Sequence, residues 1–205
     1  MDDKPKLPEG IIRELKDRWM TAEGQRVRQE LLTAWRGGND SWPELLFDLP
    51  PVSHPLLPDD LDDLRGIELP DQILRGVSLT CCDLSYSNLR HCNLREVSLQ
   101  RSRLNWANLE RSNLLGADLL NLEALHANFS ECRIYAAMMM SSNLRHSIFI
   151  RTELKNCILN GSDLTGSDFK PLAFIRNEVH NVTYPATFDL ARYLSNHQPG
   201  TSPTP

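Results

Sequence analysis

No apolar run in this 205-residue chain approaches the ~20 residues that span a bilayer, so neither a transmembrane helix nor a membrane partner is expected. The opening stretch MDDKPKLPEG has neither the basic nor the apolar region of a secretory signal, and the expected location is the cytoplasm. Cysteine is scarce, with five residues and no CxxC spacing. The vicinal pair Cys81 and Cys82 points to opposite sides of an extended chain, so no disulfide framework or thiolate metal site is expected. The six histidines stand at no motif spacing from an acid or a nucleophile. Without paired titratable groups around a concavity, catalysis has no residues to run on, and neither enzyme activity nor a cofactor is expected. The acidic cluster Asp59, Asp60, Asp62 and Asp63 lacks the ligand spacing and glycine of a calcium loop. A dominant charge is missing as well. The net charge of −5 resides in residues 1–66, with fourteen acids against nine bases, whereas residues 67–170 carry eleven of each. No basic stripe stands out, which argues against direct nucleic-acid binding.

What the chain does have is leucine at every fifth position. In NWANLERSNLLGADL, residues 105–119, Leu109, Leu114 and Leu119 each follow a small residue by two places. On an α-helix a step of five turns about 140° and scatters the leucines around the axis. On a straight strand an odd step sends them to alternate faces. The pattern makes sense if three residues run extended and two turn a corner, so that each unit is one side of a coil. From Leu69 to Phe169 there are 21 such centres, of which 18 are Leu or Phe, and the residue two before the centre is Ala, Ser, Cys, Thr or Val in 18 units. A phase-locked pattern of this length is a repeat.

The segments ANLERSNLLGADL, SNLRHCNL and GSDLTGSDF resemble the pentapeptide-repeat family, whose unit is A-(D/N)-L-x-x, over about residues 67–171. The resemblance implies an all-β solenoid, a right-handed quadrilateral β-helix with four units and twenty residues per coil and about five coils. The period of twenty can be checked in the residues. Phe129, Phe149 and Phe169 are the only Phe centres and stand twenty apart, as do Asn88, Asn108 and Asn128. Coils about 4.8 Å apart would stack the rings and ladder the amides. Ala124 takes a centre where Leu belongs, but Leu122 fills its small site, so core volume is kept. Cys82, Cys92, Cys132 and Cys157 fall at small sites, where a free Cys behaves as a small hydrophobe.

The flanks differ. Within residues 1–48, Ile11, Ile12, Leu15 and Trp19 make one helical stripe. After a Thr21 cap, Val27, Leu31, Leu32 and Trp35 make another, closed by Gly37 and Gly38, which predicts an N-terminal helical hairpin. Residues 49–66, with Pro50, Pro51, Pro55 and Pro58 before the acids, read as a linker. Residues 172–196 hold a degenerate unit at Phe174 and a short apolar helix with Phe188, Leu190 and Leu194, a C-terminal cap. Residues 197–205 have the composition of a disordered tail. A solenoid exposes apolar core at both ends, and these extensions are candidates to cover it.

The resemblance also implies a function for some relatives, which mimic duplex DNA with an acidic shaft, bind DNA gyrase or topoisomerase IV and protect them from quinolones or similar poisons. A phosphate mimic must be acidic along its length, and the eleven-to-eleven shaft is not. That reading is the alternative. The preferred one is a non-catalytic, bacterial-type protein-interaction or scaffold protein that binds a protein partner or a second copy. Two outer sets of side chains are its candidate surface. Tyr86, Trp106, His126 and His146 stand twenty apart at corner positions, flanked by Gly66 and Gly166. Leu120 stacks on Met140 and Met138 on Ile158, where the family carries polar residues; such a patch marks an interface or the seat of a terminal segment.

Overall fold

The computed structural model describes residues 5–57 and 60–195. Asp59 of the acidic cluster, the Leu194 side chain of the expected apolar helix face, and the expected tail 197–205 lie outside what is described. From Asp62 to Thr183 one relation organises the chain: a residue pairs in parallel with the residue twenty further on. Five stretches pair as strands: β1 (Asp62–Asp63), β2 (Cys82–Asp83), β3 (Arg133–Tyr135), β4 (Glu153–Lys155) and β5 (Ala173–Ile175). β1 pairs with β2, and β3, β4 and β5 form a second sheet in that order. The rest of the ladder is single bridges through the residue before each centre, as in Asn88 with Asn108 and Asn108 with Asn128. The centre itself donates to the next rung, Leu89 N to Asn108 O at 2.7 Å and Leu109 N to Asn128 O at 2.9 Å.

Local chemistry makes the corners. The second residue after each centre has positive φ, as at Asp71 (61°), Trp106 (57°) and Asn156 (55°), with glycine at Gly76, Gly116, Gly161 and Gly166. The N–H three after the centre returns to the centre's carbonyl, Ala117 to Leu114 at 3.1 Å, and the positive third residue is what a type II turn requires. The Asn or Asp before the centre braces the same corner by accepting the N–H two residues on. Glu110 donates to Asn108 Oδ1 at 3.1 Å, Ser130 to Asn128 at 2.9 Å and Thr165 to Asp163 at 2.8 Å. Pro171 occupies the positive-φ place after Phe169, and its ring holds φ near about −65°, so that corner is lost. The ladder nevertheless resumes at β5 and reaches Thr183, because pairing needs only backbone groups and not a leucine.

Every centre from Leu69 to Phe174 is at most 5% exposed. Leu122 and Ala124, the exchanged pair, are both buried. The small row two before the centre does more than fill space. Cys92, Cys132 and Cys157 donate Sγ–H to the carbonyls of Leu69, Leu109 and Ile134 at 2.9, 2.9 and 3.0 Å. Ser102, Ser112 and Ser142 do the same to Leu79, Leu89 and Leu119 at 2.6, 2.6 and 2.7 Å. Burial pushes the thiols of Cys92 and Cys157 up to about 11 and that of Cys132 up to about 12, so they stay protonated donors. Phe129 and Phe149 stack at 5.0 Å and 7°. Phe169 instead turns edge-on to Phe149, at 64°, because it also meets Phe174 and Phe188.

α1 (Glu9–Asp17) and α2 (Ala22–Gly37) are separated by a 3-10 turn, Arg18–Met20. α2 starts where Thr21 Oγ1 accepts the Gly24 N–H at 3.0 Å and stops at Gly38, whose φ of 66° ends the helix in the left-handed region. Its stripe Val27, Leu31, Leu32 and Trp35 joins Trp19, Trp42 and the first-rung leucines in one continuous core, covering that end of the stack. α1 feeds a different cluster, in which Leu7, Ile12 and Leu15 meet Leu57 and Tyr86 on the flank. At the far end Tyr184, Phe188 and Tyr193, the last in α3 (Leu190–Ser195), pack as aromatics around Phe169 and Phe174.

Candidate functional site

The corner positions bring four rings together. Tyr86 stacks on Trp106 at 5.2 Å and 1°, Trp106 on His126 at 5.1 Å and 11°, and His126 on His146 at 5.0 Å and 14°. Parallel pairing at an offset of twenty leaves rings at equivalent corners little choice but to lie face to face. The flanking glycines are required by close approach. A Cβ on Gly166 would lie 2.5 Å from His146 Nδ1, and one on Gly66 would lie 2.7 Å from the Leu15 carbonyl oxygen at the α1 side. Tyr86 is buried, and its hydroxyl accepts the Leu7 N–H at 3.0 Å, whereas Trp106, His126 and His146 are half-buried.

Beside the first two rings lies a cleft of about 330 Å³, walled by Pro5, Leu7 and residues 55–57 and floored by Arg65, Asp83, Arg103 and Asn105. The ion pairs at and behind this floor escape sequence reasoning, since Arg103 meets Asp60 across 43 residues, and Asp63, the partner of Arg65, meets Arg18 across 45. Asp63 takes two hydrogen bonds from Arg18, both 2.7 Å, and two from the Arg65 side chain, 2.7 and 2.8 Å. Burial pushes the Asp63 carboxyl up, but the bonds from Arg65 and Arg18 outweigh it and hold the group well below the usual carboxylate range. Asp83 goes the other way, raised by burial against the hydrogen bonds from Ser85 and the charges of Arg65 and Arg103. Arg103 forks onto Asp60 at 2.8 and 2.9 Å. Of the acidic cluster, Asp60 and Asp63 are therefore arginine partners.

The second predicted set lies one side of the rung away. Met138 bridges Asp118 and Ile158 in the ladder and is 41% exposed, while Leu120, Met140 and Ile158 are half-buried. The structure thus groups each set but does not join the two. Residues 121–125 and 141–145 run between them, and Leu125 there is buried at 3% exposure.

Among the described residues no three His, Cys, Asp or Glu side chains converge to hold a metal ion, and no helix is long and apolar enough to cross a membrane.

No curated protein matches the chain. Among solved structures it is similar to a pentapeptide repeat protein from the cyanobacterium Cyanothece, at 22% identity over 60% of this chain and 87% of that one, with a TM-score of 0.40. A pentapeptide repeat protein of the Arabidopsis thaliana thylakoid lumen is 24% identical over 52% of this chain and 71% of that one, with a TM-score of 0.36. QnrB1, a plasmid-mediated fluoroquinolone resistance protein, is 13% identical over 63% of this chain and 96% of its own, with a TM-score of 0.24. The family model for pentapeptide repeats matches in eight copies, over residues 63–95, 78–114, 98–134 and 139–170. These segments cover just over half of the sequence and coincide with the twenty-residue pairing, so the chain belongs to the pentapeptide-repeat family.

Proposed function

We propose that the protein is a non-catalytic interaction or scaffold module. In this reading it is a right-handed β-helix of square section, capped by the helical segment 1–48 with its linker 49–66 and by segment 172–196. It docks a protein partner, or a second copy, through Leu120, Met138, Met140 and Ile158. The observation that carries the reading is Met138, 41% exposed and paired with Ile158 in the middle of the stack, while the described terminal segments pack against Trp19, Phe169 and Phe174 and beside Tyr86. Unbranched methionines adapt to varied partner surfaces. Burial there gains about 25 cal/mol per Å² of apolar area, offset by the cost of association.

Met140→Glu tests it. The carboxylate would sit at the patch centre without entering the core, so the melting temperature should hold while solution mass falls or recovery of the native partner is lost. A large drop in melting temperature with unchanged mass and binding would assign the patch to the folded chain itself.

A further inference from the structure

The ring ladder carries a second inference at a different surface; it rests on the reading of the protein as an interaction module. Two proline- and leucine-bearing segments of the chain already lie against the first rings. Leu7, between Pro5 and Pro8, is buried with its N–H on the Tyr86 hydroxyl, and Leu57, two residues after Pro55, is buried in the same cluster. Between these segments the 330 Å³ cleft reaches Tyr86 and Trp106. A second hollow of about 250 Å³, lined by Lys6, Glu9 and Ile12, reaches the same two rings. Beyond Trp106 the ladder continues through the half-buried His126 and His146.

We propose that the cleft and the ladder beyond it bind an extended proline- and leucine-rich peptide segment of a partner protein. The chain's own segments show the chemistry that suits this face: apolar side chains packed with the rings, and a main-chain N–H donated to a hydroxyl. The spacing fits as well. A polyproline II strand repeats every three residues, about 9.3 Å along its axis. Trp106 and His146 are two ring spacings apart, 5.1 and 5.0 Å. Residues i and i+3 of the peptide therefore meet alternate rings. Such a strand has little conformational freedom left to lose on binding.

The experiment titrates full-length protein with the synthetic peptide Ac-PPLPPLPPL-NH2 and with a control in which every proline is glycine. Calorimetry and the ring NMR signals of Trp106, His126 and His146 report binding. Saturable binding of the proline peptide with movement of those signals is expected, weakened about tenfold or more, roughly 1.4 kcal/mol, by Trp106→Ala and by His126→Ser/His146→Ser. Met140→Glu should bind as wild type. No saturable binding, equal affinity for the control peptide, or unchanged affinity in the double-histidine variant overturns the proposal. If Trp106→Ala does not fold, the histidine variant decides alone. Self-association in the absence of peptide that the histidine variant abolishes would assign the face to a second copy and also overturn it. The methionine-patch reading stands or falls by Met140→Glu, so the two fail separately.

Discussion

An L-residue in the left-handed region costs about 1–2 kcal/mol, and this chain holds one at most of its corners. Ala136 is the plainest case, with φ of 51° and an exposed methyl. Ala136→Gly should therefore raise stability by roughly 0.5–1 kcal/mol, net of the extra freedom of the unfolded chain, and urea unfolding would measure it. The small row makes the opposite point. Ser112 Oγ donates to Leu89 O at 2.6 Å and accepts the Cys92 N–H at 3.0 Å. Ser112→Ala leaves both backbone groups buried without that hydroxyl and should cost about 1–3 kcal/mol in the same assay, although Ala is the family's usual residue there. The leucine period was legible because volume is written directly in residue type. The hydroxyl's task was not, because Ala, Ser and Cys are equivalent when read only as small.

At the level of elements, Asp63 in β1 fastens the turn after α1 to the first rung. Its carboxyl is held below its ordinary value, so the stability it contributes is present above the usual carboxylate pKa of about 4 and is lost as pH falls through the depressed folded value. Asp63→Asn removes the carboxylate that accepts from both the Arg18 and Arg65 side chains, which are 4% and 5% exposed. We expect a loss of about 3–5 kcal/mol near neutrality and a flatter acid-unfolding curve than wild type, both readable by circular dichroism across pH. The helical stripes of α1 and α2 were visible in sequence, since each is a local period. Their separate destinations, one on the end of the stack and one on its flank, depend on contacts across more than forty residues, which no local pattern encodes.

Over the whole molecule, opposite charges meet across rungs: Arg75 with Glu96 at 3.1 Å, Arg90 with Glu110 at 3.3 Å, and Arg111 with Glu131 at 3.0 Å. Exposed pairs of this kind add little stability, but they cancel the long-range field of the shaft. Purified protein is therefore expected neither to inhibit gyrase supercoiling at micromolar concentration nor to protect it from a quinolone. Activity in that assay would favour the DNA-mimic reading. The twenty-residue period of the sequence already aligns the four rings of the ladder. It did not reveal that the chain's own proline-bearing segments border Tyr86 and Trp106, because that contact joins residues 79 apart.

The constant offset of twenty also sets how such a chain can grow. Duplicating twenty residues would insert a rung and leave every later side chain above its old neighbour. Duplicating five would turn everything downstream by one side. His126 would then no longer lie on Trp106, nor Met140 beside Leu120. Length can change freely only in whole rungs, so any lineage that keeps both surfaces must lose or gain sequence in that quantum.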